Sequence, residues 1–103
     1  MTSSQYEAEK RLLDLECAKI VEAKRASYTG ASEDVLHNFK DVAKQMGVTP
    51  MQAWGIYFLK HVSAITSFAK AAIETPGEPM IGRFADAKNY LDLGFAIMRE
   101  ASL

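Results

Sequence analysis

The chain has 103 residues, half of them apolar and a quarter charged, with a formal net charge of −1. That length allows one domain with a real core, and the composition excludes a disordered chain. The near-neutral balance excludes a duplex-DNA binder, which would need a basic surplus, but leaves room for a local cationic cluster that meets a small anion.

The opening MTSSQYEAEK is polar and has no apolar signal-peptide core. The apolar run from Ala53 to Leu59 ends at Lys60-His61, far short of the ~20 residues a membrane span requires. No membrane partner and a cytoplasmic location are expected. Cys17 stands alone in a helical pattern, so an intramolecular disulfide is impossible and a buried, unreactive thiol is the expectation.

Four helices and no strand are predicted. The first covers Ser4 to Ala26: Ser4 and Glu7 have the S-x-x-E form of a capping box, and Leu12, Leu13, Leu15, Ile20 and Val21 give it an apolar side. Lys24, Arg25 and Tyr28 cluster at its end. Cations there suit the negative pole of the helix dipole; they would equally serve phosphate, with the Tyr28 ring stacking on a base.

A second helix is predicted from Ser32, with Val35, Phe39, Val42 and Met46 as its buried stripe and Gly47 as its stop. His37 and Asp41, one turn apart, form a two-ligand edge, fewer ligands than a metal site needs. Asn38 borders Phe39 and could reach inward.

Thr49-Pro50-Met51-Gln52 opens the third helix with a threonine cap, a proline in the first turn and a glutamine that completes the box. Trp54, Phe58, His61, Ile65, Phe68 and Ala72 form one seam; Leu59, Val62, Thr66, Ala69 and Ile73 form a second beside it. A histidine on such a seam usually remains neutral with one nitrogen satisfied. Facing a pocket, His61 with neighbouring Lys60 would instead contact phosphate or act as a base.

Thr75-Pro76-Gly77-Glu78-Pro79 is a rigid turn, and the fourth helix covers Met80 to Ala101 with Phe84, Ala87, Leu91, Phe95 and Met98 as its expected core stripe. Asp86, Asn89 and Tyr90 fall at i, i+3 and i+4, so one ligand could meet all three. The spacing also allows Asp86 to pair with Arg83 while Tyr90 packs in the bundle. The apolar faces of the third and fourth helices exceed what one chain of this size hides, which points to a homo-oligomer. The expected fold is all-α, a four-helix bundle-like single domain over residues 1–103.

No phosphate-binding glycine loop, zinc spacing or nucleophile elbow occurs. In order, Tyr28, Val35-Leu36-His37-Asn38-Phe39, Trp54, Lys60-His61 and Asp86-Ala87-Lys88-Asn89-Tyr90 resemble small phage and prophage proteins of the all-α, MazG-like nucleotide pyrophosphohydrolase type. The likeness covers most of the chain after about Ala23. It implies a helical oligomer that handles nucleotides. The acidic E-E-x-x-E element that holds magnesium in MazG-type enzymes has no counterpart here, and Arg83 stands where the later E-x-x-D element would have glutamate.

The reading that results is a nucleotide-binding protein that does not cleave its ligand and requires no cofactor, and the phage setting of the resembling proteins implies capture of a host nucleotide immune signal in the host cytoplasm. Asp86, Asn89 and Tyr90 would read base or ribose, and Lys60, His61 and Arg83, or Lys24 and Arg25 from a neighbouring subunit, would meet phosphate. Tyr28 or Trp54 would stack on the base, with Asn38 reaching in from the second helix. Two alternatives remain. One is a divergent Mg2+- or Mn2+-dependent hydrolase that uses Asp86 with Asp34, His37 or Asp41. The other is a protein-interaction module built on the apolar seams.

Overall fold

A computed structural model describes residues 1–29 and 33–102, with the side chains of 26–29 and 102 left aside. Over these residues the chain forms four helices: α1 (Ser3–Thr29), α2 (His37–Met46), α3 (Pro50–Ala71) and α4 (Met80–Ser102). Helix α4 packs between α1 and α3, α3 packs on α2, and α2 returns to α1, closing a four-helix bundle. None of these helices is long and apolar enough to cross a membrane.

Local chemistry sets the boundaries. Thr49 caps α3 as expected: its Oγ1 accepts from the Gln52 N–H at 3.1 Å, and Gln52 Oε1 accepts from the Thr49 N–H at 2.9 Å. Gly47 ends α2 in the left-handed region at φ 70°. Gly77, at φ 80°, follows Pro76 in a turn closed by the Glu78 N–H on the Thr75 carbonyl at 3.0 Å.

Other boundaries differ from expectation. The capping box of α1 is made by Thr2 and Gln5, two residues before the Ser4–Glu7 pair, because T-x-x-Q satisfies the same orphan donors. Helix α1 also continues past Ala26 to Thr29. Ser32, the expected start of the second helix, lies outside the described residues. Helix α2 begins only at His37, where Asp34 Oδ1 accepts the Leu36 N–H at 2.9 Å in a side-chain turn that competes with helix. Helix α3 stops at Ala71, since Ala72 adopts φ 54°.

Two predicted stripes are rotated. At and just before α2, Phe39 is buried and Val42 half-buried as expected, but Val35 and Met46 are exposed, and Leu36 and Ala43 are buried in their place. On α4, Phe84, Leu91, Phe95 and Met98 face outward, while Ala85, Asn89, Leu93 and Ile97 face inward. The cause is size. Helix axes approach closely where side chains are small, and the positions turned inward include Ala43, Ala53, Ala85 and Gly94. The core is thin: Leu36, Phe39, Leu93 and Ile97 form it, with Trp54 and Tyr90 packed against them.

Trp54 pins α3 to α4. Its Nε1–H donates to the Tyr90 carbonyl at 2.6 Å, its ring stacks on Phe58 at 4.9 Å, and it lies where a Cβ on Gly94 would have to sit. Gly→Ala inside a helix ordinarily gains up to about 1 kcal/mol. Gly94→Ala is expected to reverse that sign and destabilise by about 1–3 kcal/mol, the usual cost of overpacking. Urea unfolding monitored by Trp54 fluorescence checks this; an unchanged or raised midpoint would mean that the indole is not wedged there.

Candidate functional site

A cleft of about 420 Å³ is lined by Lys24, Asn38, Phe39, Val42, Tyr57, His61 and Tyr90. All four helices contribute. Lys24 comes from the last turns of α1; Asn38, Phe39 and Val42 from α2; Tyr57 and His61, one turn apart, from α3; and Tyr90 from α4.

Four rings make a continuous wall. Phe39 meets Tyr57 edge-on at 6.1 Å and Tyr90 edge-on at 5.9 Å, and Tyr90 lies 4.4 Å from the His61 ring. Of the four, Tyr57 is the most exposed and lines the opening.

The polar groups are unevenly satisfied. Lys24 Nζ lies 3.2 Å from Asp86 Oδ1, and the Asp86 side chain is only 14% exposed while that of Lys24 is 47% exposed. Asp86 thus anchors a cation at the open edge without lining the cleft. His61 Nδ1 is buried and, among the described residues, has no hydrogen-bond partner. Burial pushes the His61 imidazole below its ordinary value of 6.5; the Asp86 carboxylate opposes this, while Lys24, Arg83 and Lys60 add to it. The ring is therefore neutral at neutral pH.

The predicted residues divide accordingly. Lys24, Asn38, His61 and Tyr90 come together in the cleft, with Asp86 behind Lys24. Asn89 is 5% exposed and packs beneath the α4 surface. Arg83 bonds Glu78 and lines a separate hollow at the end of α3, so the alternative pairing of Asp86 with Arg83 is not the one formed. Arg25 pairs with Glu22 on exposed α1, and Lys60 is exposed outside the cleft. Trp54 is committed to α4 and does not line the cleft. The Tyr28 side chain lies outside the described residues. Tyr57 was missed as a site residue, although its place one turn before His61 was a signal for it.

The acidic groups of the hydrolase alternative lie apart. Asp34 bonds Lys40, which also meets Glu100, and Asp41 bonds Gln45. Lys40 holds the Asp34 carboxyl below the usual carboxylate range. Among the described residues, no three of His, Cys, Asp and Glu stand close enough to share a metal ion. Cys17 is half-buried, and its thiol lies 3.6 Å from the Ala85 carbonyl; burial raises its pKa.

Comparison with protein-family models, curated proteins and solved structures finds no match.

The lowered His61 pKa has a thermodynamic consequence. Below about pH 6.5 the unfolded chain takes up a proton that the folded chain resists, so this contribution to stability is complete above that pH and is lost as pH falls through the folded-state pKa. Thermal melts from pH 7.5 down to 5 should show a decline that His61→Phe reduces. Parallel profiles for the two proteins would contradict a desolvated imidazole.

Proposed function

We propose that the cleft binds a nucleotide or nucleotide-derived small molecule and holds it without cleaving it. The observation that carries this reading is the buried, unpartnered His61 Nδ1 beside an aromatic wall and the Lys24 ammonium, in a cleft to which every helix contributes. A purely structural histidine would normally have a partner for that nitrogen.

Each moiety of a nucleotide has a matching group. Lys24 and protonated His61 suit phosphate oxygens, and the Tyr57 and Tyr90 rings suit a base face. Asn38 can donate and accept at once, as a base edge or ribose hydroxyl requires. A volume of about 420 Å³ lies within the range of small-ligand pockets. Asp86 fixes the Lys24 ammonium at the edge of the cleft without itself lining it.

The resemblance to small MazG-like phage proteins supports the same chemistry, and their phage setting extends it to sequestration of a host nucleotide immune signal. The protein acts as a homo-oligomer, a reading supported by the apolar residues left on its surface, among them Leu59 and Ile73 on and after α3 and Phe84, Leu91 and Phe95 on α4.

The test is to mix the protein with linear and cyclic nucleotides, with and without Mg2+ or Mn2+, and to chromatograph the free nucleotide before and after heat denaturation. One nucleotide should disappear and return intact, with Tyr57→Ala and Lys24→Ala each weakening uptake by roughly tenfold or more, since a stacked base contributes about 1–3 kcal/mol. Metal-dependent product peaks would replace this reading with hydrolysis. Nucleotides that stay free and unchanged would remove both.

A further inference from the structure

Helix α4 is apolar on opposite sides. Ala85, Asn89, Leu93 and Ile97 face the bundle, yet Phe84, Leu91, Phe95 and Met98 face out, with Phe95 61% exposed. With Lys88, the outward residues recur at 84, 88, 91, 95 and 98, the alternating four-and-three spacing of a helix-pairing seam. An apolar stripe on a helix is normally covered by a packing partner.

The exposed surface of the whole chain leaves room for such cover. The chain exposes 7364 Å², against about 5,800 Å² for a compact monomer of its 11.4 kDa mass. The surplus of roughly 1,600 Å² exceeds the ~800 Å² that each partner contributes to a standard interface. The radius of gyration, 15.4 Å against about 13 Å for this length, agrees.

We propose that the outer face of α4 pairs antiparallel with the same face of a second copy, about a two-fold axis at Leu91. Two-fold pairing is the commonest closed symmetry and makes one surface self-complementary. With Leu91 on the axis, Phe84 meets the partner's Met98, and Phe95 meets the partner's Ala87, large against small. Lys88 sets the direction. In a parallel pair it would face its own equivalent, a like-charge contact; the antiparallel register places it near the partner's Asp92 while it keeps its bond to Asp14 of its own α1. The pairing specifies the assembly in the proposed function and does not involve the nucleotide, whose cleft is lined on α4 by Tyr90, on the bundle side.

Sedimentation velocity at micromolar concentration should give a dimer or an even multiple of it, and Phe95→Glu should lower the assembly to half its subunits or fewer with its helical circular dichroism retained. In a Cys17→Ala background, Leu91→Cys should crosslink to dimer with a short thiol-to-thiol reagent, and Leu59→Cys on α3 should not. A monomeric wild type would overturn the proposal, and so would Leu59→Cys crosslinking in place of Leu91→Cys. If Phe95→Glu fails to fold, the crosslink alone decides. Nucleotide uptake by the unaltered oligomer is scored separately: its loss with the crosslink intact removes the cleft reading and leaves the pairing standing.

Discussion

The indole of Trp54 over Gly94 is the contact from which the other features follow. It brings α3 and α4 as close as a glycine permits and ties them by a hydrogen bond to the Tyr90 carbonyl. That bond fixes the backbone of the residue whose ring lies 4.4 Å from His61. Trp54 and His61 share one helix, two turns apart, so the contact that closes the bundle also aligns the imidazole with the aromatic wall. Trp54 therefore contributes to the cleft through the placement of Tyr90, rather than as a surface for a ligand.

The cleft combines two opposed electrostatic choices. Burial keeps His61 neutral, while Asp86 holds the Lys24 ammonium at the opening. An arriving phosphate would meet Lys24 first and then favour protonation of His61, adding its negative charge to that of Asp86. Ligand binding and proton uptake would then be linked, and affinity would rise as the medium becomes mildly acidic.

Chemistry confined to a few neighbouring residues was legible in the sequence. The Thr49–Gln52 box, the Gly47 stop and the Pro76-Gly77 turn each follow from backbone groups that one local side chain or a permissive φ must satisfy. The inward side of α4 was not legible, because both of its faces are apolar and periodicity cannot choose between them. Ala85 and Gly94, small enough for close approach, decided the matter, and the larger residues turned outward. Of the candidate site, His61 with Tyr90 could be anticipated from residue type, whereas Lys24, expected from a neighbouring subunit, joins them from the same chain. That Asp86 would choose Lys24 over Arg83 depended on α1 crossing α4, a tertiary fact no local spacing contains.

The most direct test of the account is the titration of the His61 imidazole by nuclear magnetic resonance, with and without the nucleotide that the protein takes up. A pKa below the ordinary 6.5 is expected in the free protein, with a rise when the ligand is present. A His61 resonance that titrates identically in both states would contradict a phosphate at this nitrogen, and with it the assignment of the cleft.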